Sequence, residues 1–184
     1  MEVTNEVLAK LAEPMVPRWR VQSLTKDKKK AIIVPYLDSR MVQQRLDEVV
    51  GSANWCNNYD PENGASSIGI RINGEFISKS DVGVESKESK DKGKASDGFK
   101  RAAVLWGVGR NIYSIGSKIL NTNENGSPVT STGKVLYTGD QLSAYMNNLN
   151  TSVGLLSQIW NENADKQNIP EFQELITKLK KMLI

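Results

Sequence analysis

KASDGFKRAAVLWGVGRNIY, residues 94–113, predicts a helix with one apolar and one charged face. At about 100° per residue, the apolar side chains fall on one side of the helix; they are Ala95, Phe99, Ala102, Ala103 and Trp106. The opposite side holds Lys94, Asp97, Lys100 and Arg101. Gly107 and Gly109 follow the last apolar residue, and glycine ends helices readily because it adopts positive φ. We therefore expect the helix to end near residue 106.

The charged side of this helix has two interpretations. Most charged helix faces are only solvated, and the periodicity alone favours that interpretation. Asp97 and Arg101 are four residues apart and can form an ion pair. If the face binds an anion, Lys94 and Lys100 are then the first residues to consider.

The segment 53–84 predicts a three-stranded antiparallel meander. Strands are expected at 54–59, 67–72 and 75–84. Asn73-Gly74 is the dipeptide that type I′ hairpin turns favour. The isoleucines of the second strand share one face, which needs a cover, and the helix at Lys94 supplies it. The predicted fold class is α+β, a β-β-β-α core with an N-terminal strand and helix segment and a C-terminal helical tail.

Two short helices and two strands are expected before the meander. The helices lie at 2–12 and 40–50, and the strands at 18–24 and 31–36. Trp19 is expected in the core because large aromatic side chains are usually buried. Asp38 or Ser39 is expected to cap the second helix.

The C-terminal part changes character after Tyr113. Residues 121–139 are rich in turn formers and predict a linker. Apolar residues at helical spacing predict one helix over 140–161 and another that begins at Pro170. These helices could pair with each other, with a neighbouring subunit or with another protein. The predicted regions are an N-terminal helical segment at 1–17, a core at 18–120, the linker at 121–139 and a helical region at 140–184.

Composition excludes several kinds of catalysis. The chain has no histidine and one cysteine, so Ser-His-Asp triads and zinc sites built from Cys and His lack their residues. Cys56 is expected to be a small packing residue. There is no phosphate-binding loop of the ATPase kind. We expect neither an enzyme nor a cofactor or metal, although a magnesium-dependent nuclease that uses carboxylates stays open. We expect no membrane association, because no apolar stretch is long enough to span a bilayer.

Lysines are clustered although the net charge is only +3. One cluster runs from Lys87 to Arg101, and a second is Lys26-Asp27-Lys28-Lys29-Lys30. Clustered cations of this kind suit a phosphate backbone. They are equally what a well-solvated loop contains.

The sequence of residues 94–113 resembles that of the Rad fifty-two-type single-strand annealing family. This family includes a bacterial DNA-damage-response branch and phage annealing recombinases. The resemblance lies in an alcohol-Asp-Gly-apolar-Lys-Arg-Ala run, an aromatic-Gly pair and a Gly-Arg step before a closing aromatic residue. YLDSRMVQQRLDEVVGSANW, residues 36–55, is similar to the first helix of the family's core, and Asp81-Val82-Gly83 to its strand-end motif. The resemblance as a whole covers residues 18–113.

The resemblance implies an ATP-independent protein that binds and anneals single-stranded DNA in recombination and DNA repair. Its implied partners are single-stranded DNA, more weakly duplex DNA, further copies of the chain in a ring, and a single-strand-binding protein or a recombinase. The location would be the bacterial cytoplasm or the nucleoid, for a bacterial or phage-encoded protein. The DNA-binding residues would be Lys100, Arg101, Arg20, Tyr36, Lys79, Lys94 and Arg110, the last of which could instead cap a helix or sit at a subunit contact. The alternative is a non-catalytic interaction module that acts through its C-terminal helices.

Overall fold

The computed structural model describes residues 4–84 and 90–183, the side chains of 90–92 and 182–183 excepted. The chain forms two compact units. Unit 1 consists of residues 1–15 and 37–116, and unit 2 of residues 16–36 and 117–184. The sequence suggested four regions, with boundaries after residues 17, 120 and 139. This division into functional regions remains a prediction.

Unit 1 is a three-stranded antiparallel sheet covered by a helix, and this confirms the predicted α+β class and its β-β-β-α core. Its helices are α1 (Asn5–Leu11), α2 (Ser39–Val50), α3 (Lys90–Leu105) and α4 (Ile112–Ile115), and its strands are β3 (Trp55–Asp60), β4 (Ala65–Ile72) and β5 (Glu75–Val82). The sheet order is β3-β4-β5. Asn73 and Gly74 join β4 to β5, both with positive φ, as a type I′ turn requires.

The core of unit 1 lies between the sheet and α3. Ile68 and Ile70 of β4 are fully buried, as are Ala102 and Ala103 of α3. The Trp106 indole Nε1 donates to the Ile68 carbonyl at 2.9 Å, so the buried ring nitrogen is satisfied. Helix α3 ends where its glycines predict, because Gly107 has φ 97°.

Glycine lets α3 approach the sheet closely. A Cβ added to Gly83, just after β5, would lie 1.9 Å from the Lys94 carbonyl oxygen and 2.6 Å from the Gly98 nitrogen. The Gly83 amide also donates to the Gly64 carbonyl at 3.2 Å. At the strand-end motif, the backbone that follows β5 therefore lies directly against the backbone of α3.

Unit 2 pairs the N-terminal hairpin with a strand and helices from the far end of the chain. Its strands are β1 (Arg18–Leu24), β2 (Lys30–Tyr36) and β6 (Lys118–Asn121), and its helices are α5 (Gly139–Glu162) and α6 (Pro170–Leu183). The sheet is antiparallel in the order β1-β2-β6. Trp19 is fully buried, as predicted, and its Nε1 donates to Asn147 Oδ1 at 2.8 Å. The side-chain nitrogen Nδ2 of Asn147 donates in turn to the Pro17 carbonyl at 3.0 Å.

Some expectations fail. Strand β6 was not predicted. Residues 121–139, the predicted linker, contain β-bridges that pair Thr122 with Pro128 and Val129 with Val135. Cys56 is exposed, not buried, because it lies on the sheet face that α3 does not cover. The sequence of residues 85–93 fits either a loop or the first part of the helix; residues 85–89 lie outside the described residues, and residues 90–93 belong to α3. Among those described, no helix is both long and apolar enough to cross a lipid bilayer.

Candidate nucleic-acid interface

Asp97 and Arg101 are joined on the polar face of α3. Arg101 Nε donates to Asp97 Oδ2 at 2.8 Å, and the two side chains keep 38% and 35% of their surface exposed. The same Asp97 oxygen accepts the Val84 amide at 3.0 Å. The predicted ion pair is therefore confirmed, and it also fixes the chain segment that follows β5.

The Asp97 carboxylate is stabilised in its charged form. Burial by itself would raise the pKa of Asp97, but the Val84 amide, the Arg101 hydrogen bond and the charges of Arg101 and Lys100 together lower that pKa. The pKa of Arg101 is raised, first by its hydrogen bond to Asp97 and then by the charge of Asp97. Any phosphate that approaches Arg101 must therefore compete with an anion already in place.

Lys94 and Lys100 lie on the same helix. Lys100 is partly exposed and close enough for its charge to act on Asp97. The Lys94 side chain passes over Gly64, where an added Cβ would come 1.9 Å from Cε and 2.7 Å from Nζ. The Lys94 side chain therefore lies against the turn before β4.

Lys79 and Arg110 both meet the C-terminal end of α3. Lys79 Nζ donates to the Leu105 carbonyl at 2.9 Å and lies 4.2 Å from the centre of the Trp106 ring. Arg110 Nη2 donates to the Val104 carbonyl at 3.1 Å, which is the helix-capping contact anticipated for it. The last carbonyls of a helix lack intrahelical partners and carry partial negative charge, so two cations are well placed there.

Unit 2 holds the two remaining predicted site residues. The Arg20 guanidinium carbon lies 5.6 Å from the centre of the Tyr36 ring, within the range of a cation–π contact. Arg20 is exposed and Tyr36 is partly exposed. Arg18 on the same strand pairs with Asp140 at the start of α5.

The seven predicted site residues thus fall into two groups. Unit 1 contains Lys79, Lys94, Lys100, Arg101 and Arg110, all in or against α3, and unit 2 contains the Arg20–Tyr36 pair. Their contact with DNA remains a prediction. Asp81 accepts from the Val82 amide at 2.7 Å, and Asp97 bonds to the Val84 amide from the facing helix.

The sequence analysis did not identify one cation–π pair, formed by Arg71 and Phe76. The Arg71 guanidinium carbon lies 4.9 Å from the centre of the Phe76 ring, on the face of the meander opposite α3. The two residues are directly opposite in the β4–β5 register, so the Asn73-Gly74 turn was the signal that could have placed them together. Within residues 4–84 and 90–183, no group of three or more His, Cys, Asp and Glu residues comes together as a metal site would require.

The geometry defines an α+β protein that carries cations on helix α3 of unit 1 and on the β1–β2 hairpin of unit 2. The chain is similar to two bacterial proteins. The single-stranded DNA-binding protein DdrA of Deinococcus deserti is 33% identical over 101 residues, which are 53% of this chain and 50% of that protein. The protein of the same name from Deinococcus radiodurans is 29% identical over 101 residues, 53% of this chain and 48% of its own. The chain therefore spans about half the length of the curated relatives it matches. No family model matches the chain, and no solved structure does.

Proposed function

We propose that the chain binds single-stranded DNA through its phosphate backbone and anneals complementary strands without ATP, as a ring of identical subunits acting in DNA repair. The observation that carries the proposal is the partly exposed Lys100 and Arg101 on the polar face of α3. The similarity to two proteins named for single-stranded DNA binding supports it.

Annealing needs strands that are held by phosphate while their bases stay available for pairing. Lysine and arginine do this without reading sequence, and aromatic side chains add stacking that every base can use. The proposed phosphate contacts are Lys100 and Arg101, with Lys79, Lys94 and Arg110 in support. The Arg20–Tyr36 pair is the proposed stacking contact.

A double substitution tests the phosphate contacts. We expect Lys100→Ala with Arg101→Ala to weaken binding of a labelled oligothymidine at least about tenfold. The slope of log affinity against log salt should fall by about 1.4, because each lost contact on a single strand contributes about 0.7. Lys178→Ala with Lys181→Ala, on the exposed side of α6, removes the same charge and is the matched control. Equal loss in both variants, or no loss in the first, would remove these two residues from the site.

Annealing and assembly are tested apart from binding. Complementary oligonucleotides labelled for energy transfer should pair faster with the protein than without it, in the absence of nucleotide. Light scattering after size exclusion should give a mass several times 20.4 kDa. An unaltered pairing rate would exclude annealing, and a monomer mass would exclude the ring.

The second candidate is a protein-interaction module formed by the C-terminal helices. What favours it is apolar surface on this pair of helices, where Leu155 is 55% exposed and Leu175 is 51% exposed. This candidate predicts that the chain is not retained by single-stranded DNA at physiological salt. Retention on an oligothymidine column at about 150 mM salt would count against it.

A further inference from the structure

The turn between β1 and β2 is ordered by its own hydrogen bonds. Thr25 and Lys30 close it with a backbone hydrogen bond of 2.9 Å, and the Lys28 amide donates to the Thr25 carbonyl at 2.9 Å. Lys28 adopts φ 55°, which lets the chain reverse within a few residues. We call residues 25–30 the hairpin tip.

The acidic residue of the tip is used to hold the tip together. Asp27 Oδ1 accepts the Thr25 hydroxyl at 2.6 Å and the Lys29 amide at 3.1 Å. These hydrogen bonds, that from Thr25 first, lower the pKa of Asp27. Asp27 therefore organises the backbone from which the lysines project.

A neighbouring strand secures the tip from its other side. The amide of Thr122, directly after β6, donates to the Lys29 carbonyl at 3.0 Å, and its hydroxyl donates to the Lys28 carbonyl. The tip backbone is thus tied to the sheet of unit 2 through three strands. A fixed backbone reduces the entropy that the lysines lose on binding a ligand.

The charge of the tip is unbalanced. Lys26, Lys28, Lys29 and Lys30 are all exposed, and within the described part of the chain none of them forms an ion pair. Residues 16–36 contain six lysines and arginines and one acidic residue, Asp27. Strands β1, β2 and β6 contain no Asp or Glu at all.

We propose that the hairpin tip is a second phosphate-binding site, which takes the backbone of duplex DNA and is separate from the α3 cations. The inference rests on the proposed function, because it adds a site for the product of annealing. Residues 25–30 include no aromatic or amide side chain, so the tip contacts phosphates and leaves the bases unread. They also include no apolar side chain for insertion into lipid, which favours nucleic acid over an anionic membrane.

Charge-neutral substitutions test the tip. The variant is Lys26→Gln, Lys29→Gln and Lys30→Gln together; Lys28 is kept because of its positive φ. The control, Lys178→Gln, Lys180→Gln and Lys181→Gln on α6, removes the same charge from another exposed surface. The probe is a 20-base-pair duplex of mixed sequence, titrated by fluorescence anisotropy from about 50 to 200 mM salt. Melting curves for both variants check that the sheet is intact.

We expect the tip variant to lose at least about tenfold in duplex affinity at 100 mM salt and the control to change less than twofold. The salt slope should fall by about 2 to 3 in the tip variant, since each duplex phosphate contact contributes about 0.9. Lys100→Ala with Arg101→Ala should leave the duplex slope largely in place.

Three results with the variants would overturn the inference. They are equal losses in the tip variant and the control, no loss in either, and a tip variant that stops cosedimenting with phosphatidylserine vesicles yet keeps its duplex affinity. Wild-type protein that binds oligothymidine but not the duplex also overturns it and leaves the proposed function standing. Wild-type protein that binds the duplex but no single strand would instead remove the proposed function.

Discussion

Arg101 Nε lies 2.8 Å from Asp97 Oδ2, one helical turn away on the same face of α3. The contact involves Nε, so the atoms that Asp97 holds are not the two terminal guanidinium nitrogens. A phosphate can approach those nitrogens, but it does so next to a carboxylate. The proposed site is therefore partly inhibited by its own structure, and this has measurable consequences.

Removing the Asp97 charge should strengthen DNA binding. In Asp97→Asn, the side-chain oxygen can still accept the Val84 amide, while Arg101 no longer faces an anion. We expect single-strand affinity to rise about threefold to tenfold, up to about 1.4 kcal/mol. Oligothymidine titration checks this, with Glu174→Gln on α6 as the control for net charge. An affinity equal to that of the control would show that Arg101 is not a phosphate contact.

The same carboxylate should make stability depend on pH. The pKa of Asp97 in the folded chain lies below its ordinary value of 3.8. The ionised form thus favours folding, so its contribution is complete above about pH 5 and is lost as pH falls below 4. Because the pair is partly exposed, we expect Asp97→Asn to melt only about 1–3 °C below wild type at pH 7. As pH falls below 4 the two melting temperatures should converge, and a difference that does not shrink would contradict the assignment.

Gly83 should not tolerate a methyl group. A Cβ at this position would overlap the Lys94 carbonyl at 1.9 Å, so Gly83→Ala must push α3 away from the sheet. We expect a loss of about 1–3 kcal/mol in the free energy of unfolding. Gly154→Ala is the control, because nothing lies within 4 Å of its added Cβ and alanine favours helix. Urea unfolding of both variants distinguishes the two effects, and equal stability would refute the close approach.

Asn147 should be critical to unit 2. Asn147→Ala removes the acceptor of the Trp19 indole and the donor to the Pro17 carbonyl. A buried donor left without a partner costs about 1–3 kcal/mol. Tryptophan fluorescence during urea unfolding should show this loss, while Asn148→Ala, one residue along and exposed, should change little. Comparable losses at both positions would mean that helix stability, rather than the Trp19 contact, is being measured.

The sequence predicted the elements whose periodicity is strong. Helix α3, the meander and the long α5 all follow from apolar spacing, and the glycines at 107 and 109 gave the end of α3. Strand β6 has only four residues, and its pairing with β2 joins distant parts of the chain. No local pattern could reveal that partner.

The residue types of the candidate site were predictable, but their contacts were not. Lys79 lies opposite Ile68 in the register, and Trp106 bonds to the carbonyl of the same Ile68. The Lys79 ammonium consequently meets the end of α3, which follows only from how helix and sheet pack. The Asp97–Arg101 pair was visible because it depends on helical spacing alone.

Trp19 and Asn147 are separated by 128 residues in the chain. On the ribosome, the N-terminal hairpin must therefore emerge long before the helix that shelters its tryptophan has been translated. Until then the indole is exposed to water and to chaperones, so unit 2 can mature only late in synthesis. A chain truncated before α5 would accordingly leave the hairpin at residues 18–36 without the partner of its tryptophan.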